Sequence, residues 1–91
     1  MHNNEITVSF YGSVQVYTGG SESFSAKGCP DIRSLVDELG SHYGERFKAS
    51  LLSGENCFFL VNGKGIMSTG GLMTALSPGD KIEVLPFIDA G

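Results

Sequence analysis

Ile32, Leu35, Val36, Leu39 and Tyr43 recur at steps of three and four residues, while Arg33, Ser34, Asp37 and Glu38 take the opposite arc. A helix with one apolar stripe must bury that stripe, and the patterns on either side supply a sheet to bury it against. Asp31, just after Gly28-Cys29-Pro30, is placed to cap the helix, since its carboxylate can accept from the unpaired N–H groups of the first turn. Gly40 interrupts the stripe at a cost of about 1 kcal/mol relative to Ala. Gly44 is a natural stop, and Phe47, Leu51 and Leu52 predict a further helical turn or two ending before Ser53-Gly54.

Before the helix, Ile6, Val8 and Phe10 alternate with Thr7, Ser9 and Tyr11, the period of a half-buried strand. Residues 23–26 have strand character and complete a first hairpin through an irregular connection. Over 13–18 a strand extension, a helical turn and a separate strand remain open. After the helix, Cys57–Val61 is a short, nearly continuous apolar run that reads as a central strand covered on both faces. Residues 64–75 read as a long surface loop. Ser77-Pro78-Gly79-Asp80 has Pro and Gly where a type II turn needs them, and Lys81–Leu85 resumes alternation with Ile82 and Val84 inward. Pro86 removes the N–H that a continued ladder would use. The expectation is one α+β domain over 1–91, a mixed sheet of four to five strands with one main helix on one face.

Charge and composition exclude several functions. Six Lys and Arg against ten Asp and Glu give a net charge of −4, and the basic residues are scattered singly, so no nucleic-acid partner is expected. No apolar run approaches the roughly 20 residues of a membrane span, and Met1–Glu5 does not resemble a leader, so no membrane partner and a cytoplasmic location are expected. Cys29 and Cys57 lack metal-ligand spacing, and no metal site is expected. His2 and His42 have no nucleophile at a suggestive spacing. Gly63-Lys64-Gly65 fails as a phosphate loop, because Phe58 stands where the first Gly is needed and Gly65 replaces the hydroxyl residue.

The chain end is what remains. Phe87-Ile88-Asp89-Ala90-Gly91 can span up to roughly 17 Å when extended, enough to enter a cleft, and Ala90 and Gly91 offer little bulk to a narrow tunnel. From the residues alone, this segment is either an ordinary frayed terminus or a substrate tail.

The order strand, strand, helix, strand, strand, with Val61-Asn62-Gly63, the run Leu76–Pro86 and a small-residue end, resembles the MoaD/ThiS family of β-grasp, ubiquitin-like sulfur carriers. The resemblance covers nearly the whole chain, and its one departure is Ala90, where the family usually has Gly. It implies a carrier with no catalytic residues of its own and no bound cofactor. An adenylating enzyme of the MoeB/ThiF type uses ATP to activate the Gly91 carboxylate, and a sulfur donor converts it to a thiocarboxylate. Ile88, Asp89 and Ala90 then thread the partner's active site, while Pro86 and Phe87 dock on the partner or, for Phe87, pack back on the chain's own sheet. Length and the extended 44–56 region resemble the molybdopterin-type carriers, which implies molybdopterin synthase large subunit as sulfur acceptor. The alternatives are a carrier for thiamine, amino-acid or tRNA thiolation, a ubiquitin-like modifier joined through Gly91, and a β-grasp binding module with an inert tail. A thiol enzyme using Cys29 has the least support, because no basic group is placed to lower its pKa.

Overall fold

The alternation at the start of the chain forms strand β1 (Glu5–Phe10), with Ile6, Val8 and Phe10 buried on one face. The computed structural model describes residues 5–54 and 56–87. Strand β2 (Ser23–Lys27) returns antiparallel, placing Ala26 opposite Ile6 and Phe24 opposite Val8. The segment left open by the sequence is a 3-10 helix, Gly12–Val16, whose Val14 is buried. The Gln15 side chain donates to the Phe10 carbonyl at 2.9 Å and holds that helix against the end of β1.

Helix α1 (Ile32–Tyr43) starts where expected. Asp31 has extended backbone, and its Oδ1 accepts the Ser34 N–H at 2.8 Å. The predicted stripe is the buried face: Ile32, Leu35, Val36 and Leu39 are fully enclosed, and Tyr43 meets Phe10 edge-on with ring centroids 5.6 Å apart. Beyond Gly44 the chain does more than add a turn. A separate helix, α2 (Glu45–Ser53), runs one residue past the expected stop and ends on Gly54 in a left-handed conformation. Phe47 and Leu51 are buried as the pattern implied, whereas Leu52 faces outward.

Gly40 has a different role from the interruption read in the sequence. A Cβ at this position would lie 2.8 Å from Cβ of Lys48 and 2.9 Å from its Cδ. Lys48 is held across this notch by an ion pair of 3.1 Å from its Nζ to Asp37 Oδ1. The missing side chain therefore sets how closely α2 approaches α1.

After α2 come β3 (Cys57–Val61), the two-residue β4 (Lys64–Gly65) and β5 (Lys81–Pro86). The sheet order is β2-β1-β5-β3-β4, with β1 and β5 parallel and the other neighbours antiparallel. Five mixed strands with the helices on one face make this an α+β, ubiquitin-like β-grasp fold, with two helices where one main helix was expected. The sequence misplaced the centre: β5 occupies it, and β3 lies next to the edge with Phe58 and Leu60 only half-buried on the open face. A continuous apolar run signalled burial on both faces, but here its second face is one the helices do not cover. The expected loop over 64–75 also holds β4 and two 3-10 turns, Ile66–Ser68 and Gly71–Met73.

The two sequence turns lock to each other. Asp80 N–H donates to the Ser77 carbonyl at 3.0 Å, with Gly79 at φ 90° as a type II turn requires. Asp80 Oδ2 accepts the Ser77 N–H at 2.8 Å, and its Oδ1 accepts from Asn62 Nδ2 at 3.0 Å. Asn62, the one described non-glycine residue at positive φ (51°), accepts the Lys81 N–H on its Oδ1 at 3.0 Å.

Two outcomes follow for urea unfolding. Gly40→Ala should lose about 1–3 kcal/mol by overpacking the helix contact, although helix propensity alone assigns it a gain; an increase in stability would refute the notch. Asn62→Ala should lose about 1–3 kcal/mol through two missing hydrogen bonds and the left-handed backbone, and Asn62→Gly should lose less. Equal losses would show that the backbone conformation contributes nothing.

Candidate functional site

The carboxyl end of β5 is the candidate site. Ile82 and Val84 anchor this strand in the core, and it is paired on both sides, to β1 and to β3, so its end leaves from the middle of the sheet. Pro86 lies opposite Cys57. The next residue is still attached: Phe87 N–H donates to the Asn56 carbonyl at 3.3 Å.

Phe87 packs back on the chain's own sheet, one of the two roles the sequence allowed, and part of its surface stays uncovered. Its ring tilts by 30° against Phe58, with centroids 4.9 Å apart, yet the residue remains 55% exposed. Phe58 lies opposite Leu85 and Leu60 opposite Glu83, on the face turned away from core residues Phe59 and Val84. Half-buried Phe58, Leu60 and Leu85 therefore form an apolar strip that leads to exposed Phe87 at the root of the tail. Apolar side chains on a sheet face that the helices leave uncovered make this strip a candidate contact surface. Phe58 and Leu60 were missed as site residues, although their places in the run Cys57–Val61, out of phase with Cys57 and Phe59, carried the signal. Ile88, Asp89, Ala90 and Gly91 lie outside the described residues.

The other reactive groups are poorly placed for chemistry. Cys57 is buried beneath the tail root with Ser50 Oγ 3.8 Å from its sulfur. Burial pushes its thiol above the ordinary range, and the Ser50 contact offsets part of that. Burial likewise raises the Cys29 thiol, reinforced by the charges of Glu38 and Asp31. Both shifts disfavour the thiolate that a thiol enzyme would need. His42 is exposed against the rings of Phe24 and Tyr43, at 4.8 and 4.6 Å. Among the described residues no group of three or more His, Cys, Asp or Glu is placed to hold a metal ion, and no helix is long and apolar enough to cross a membrane.

Both thiols should react with a disulfide reagent more slowly than a free cysteine at pH 8, and at the free rate once the chain is unfolded. Fast labelling of the folded protein at either position, read by intact mass, would contradict this account.

Comparison with known proteins bears on the same region. The model of the ThiS family matches residues 8–91. Sulfur carrier protein CysO of Mycobacterium tuberculosis is 30% identical over 92 residues, covering 94% of this chain and 98% of that protein. Of the solved structures, the BexX/CysO complex of Amycolatopsis orientalis is similar at 29% identity and TM-score 0.79, over 94% of this chain and 99% of that one. The complex of subunits 1 and 2 of the molybdopterin-converting factor of Helicobacter pylori is similar at 25% identity and TM-score 0.64, over 96% and 99%.

Proposed function

Because the chain belongs to the ThiS family of sulfur carrier proteins, we propose that its tail is the working part and that Gly91 carries the sulfur. In this reading a carboxylate oxygen of Gly91 attacks the α-phosphorus of ATP in the partner's site and pyrophosphate leaves. A sulfur nucleophile then attacks the acyl carbon, and AMP departs as the leaving group a carboxylate lacks. The chain itself acts as carrier rather than catalyst, and ATP is bound by the adenylating enzyme. Ile88, Asp89 and Ala90 are the threading segment, and Pro86 with Phe87 is where the partner meets the body of the protein.

The observation that carries this reading is the apolar strip of Phe58, Leu60 and Leu85 running into half-exposed Phe87, directly at the tail root. A partner that covers the strip receives the following residues at a defined place. Its uncovered apolar area explains recognition without any catalytic group on the body.

For the acceptor, we favour an enzyme other than molybdopterin synthase large subunit. What supports this is the greater likeness to proteins named CysO, at 30% and 29% identity, than to the molybdopterin-converting factor subunit, at 25%. Chain length, which suggested the molybdopterin type, is shared by both, since each similar structure is covered to 99%.

Incubation with ATP, sulfide and the adenylating enzyme of the same organism should raise the intact mass by the exchange of one oxygen for sulfur. The gain should vanish when Gly91 is deleted, and Phe87→Ala should slow it by weakening docking. No gain, with that enzyme active on another carrier, would replace the carrier reading by an inert binding module. Higher-mass ladders joined through lysine would identify a protein modifier instead.

A further inference from the structure

The two outer strands of the sheet are unequal. β4 has two residues, whereas β2 has five, Ser23–Lys27, with no proline and an unbroken register along β1. Phe10 N–H donates to the Glu22 carbonyl at 2.9 Å. Steps of two along that ladder put Phe24 and Ala26 in the pairs that exchange hydrogen bonds with β1. The N–H and C=O groups of Ser23, Ser25 and Lys27 therefore turn outward. Side-chain contacts agree: the Ser23 carbonyl accepts from Ser21 Oγ at 3.1 Å and the Lys27 carbonyl from the Cys29 thiol at 3.9 Å, neither donor belonging to β1. An outer strand of this kind is a template for a further strand.

We propose that this edge pairs with the same edge of a second copy of the chain, β2 antiparallel to β2 about a two-fold axis at Ser25, which joins the two sheets into one. The residues of the edge single out a copy as the occupant. With Ser25 opposite the partner's Ser25, the two exchange both hydrogen bonds, and Ser23 and Lys27 exchange theirs with the partner's Lys27 and the partner's Ser23. Side chains are matched in the same register. On the open face Lys27 meets the partner's Ser23, so the two lysines are kept apart, and each retains its own Glu5 at 3.7 Å on the inner side. On the helix side half-buried Phe24 meets the small side chain of the partner's Ala26, in the non-hydrogen-bonded pairing where side chains approach most closely. The Phe24 ring, already against His42 and Tyr43 with centroids at 4.8 and 5.7 Å, is covered further there. Pairing of β2 with β4 would engage only two residues and would not close. β1 separates β2 from β5 and β3, so the strip of Phe58, Leu60 and Leu85 stays uncovered in both copies, and the dimer stands apart from the carrier reading.

The test is sedimentation velocity on the full chain from micromolar to millimolar concentration, where a reversible monomer–dimer equilibrium should be seen. Ser25→Pro removes an outward donor at an exposed edge position that tolerates proline. It should weaken the dimer by about tenfold or more, through two hydrogen bonds lost per dimer, with the urea midpoint showing that the fold is kept. Ser23→Glu should tighten the dimer and Ser23→Lys loosen it, each by about two- to thirtyfold, because two such residues face the partner's Lys27 in every dimer. With a net charge of −4, overall repulsion would give the reverse order, so the order reads the register, and it decides the question even where Ser25→Pro fails to fold. A chain that stays monomeric to millimolar concentration would overturn the proposal, as would the reverse order of the Ser23 variants. So would a dimer that a folded Ser25→Pro leaves intact and Leu60→Ser abolishes, which would give the contact to the open-face strip.

Discussion

The fold depends on the insertion of the last strand between two that precede it. A parallel pair of β1 and β5 cannot be closed by a tight turn, so β2, both helices and β3 lie between the two partners in sequence. The turn Ser77–Asp80 fixes where β5 enters. Gly79 N–H donates to the Glu5 carbonyl at 3.0 Å, and Asp80 holds both Ser77 and Asn62. One turn thus ties together the start of β1, the end of β3 and the start of β5. A slip of one residue would carry Ile82 and Val84 to the open face and reverse the side on which Phe87 emerges. The motif residues Asn62, Gly79 and Asp80 act far from the tail, and through register they decide how it is presented.

Signals confined to a few neighbouring residues could be read without the structure. Alternation in β1 and β5, the Asp31 cap, the α1 stripe and the type II turn each depend on local backbone chemistry, and each is present. What could not be read depends on residues distant in sequence. An apolar run such as Cys57–Val61 does not say whether its second face meets a helix or a partner. Gly40 looks like a weak point in isolation because its reason is Lys48, on another helix. The independence of α2 rests on the 112° φ of Gly44, which turns the chain rather than merely ending a helix.

The same division applies to the site. Pro86 and Phe87 became candidates through the family resemblance, and the structure adds that Phe87 rests on Phe58 while keeping half its surface in water. Phe58 belongs to the site only through cross-strand register, placing it opposite Leu85. That contact limits the cost of an apolar surface: each ring shields part of the other from water while both stay available to a partner. Glu83, opposite Leu60 and next to the strip, adds a charge that opposes unspecific association of such a face.

The convergence of features at one end of the molecule is a consequence of strand direction. Because β5 runs parallel to β1, both end on the same side, and Tyr11 N–H donates to the Val84 carbonyl at 3.1 Å just where β1 gives way to the 3-10 helix. Because β3 runs antiparallel to β5, it begins on that side too, with Cys57 opposite Pro86. The 3-10 helix after β1, the turn before β3 and the exit of β5 are therefore neighbours whatever their loop sequences. Any β-grasp chain of this strand order brings three segments together around the root of its tail. What this sequence adds is the chemistry placed there: Phe58 and Phe87 on the open side, and Val16, Tyr17 and Arg46 on the helix side.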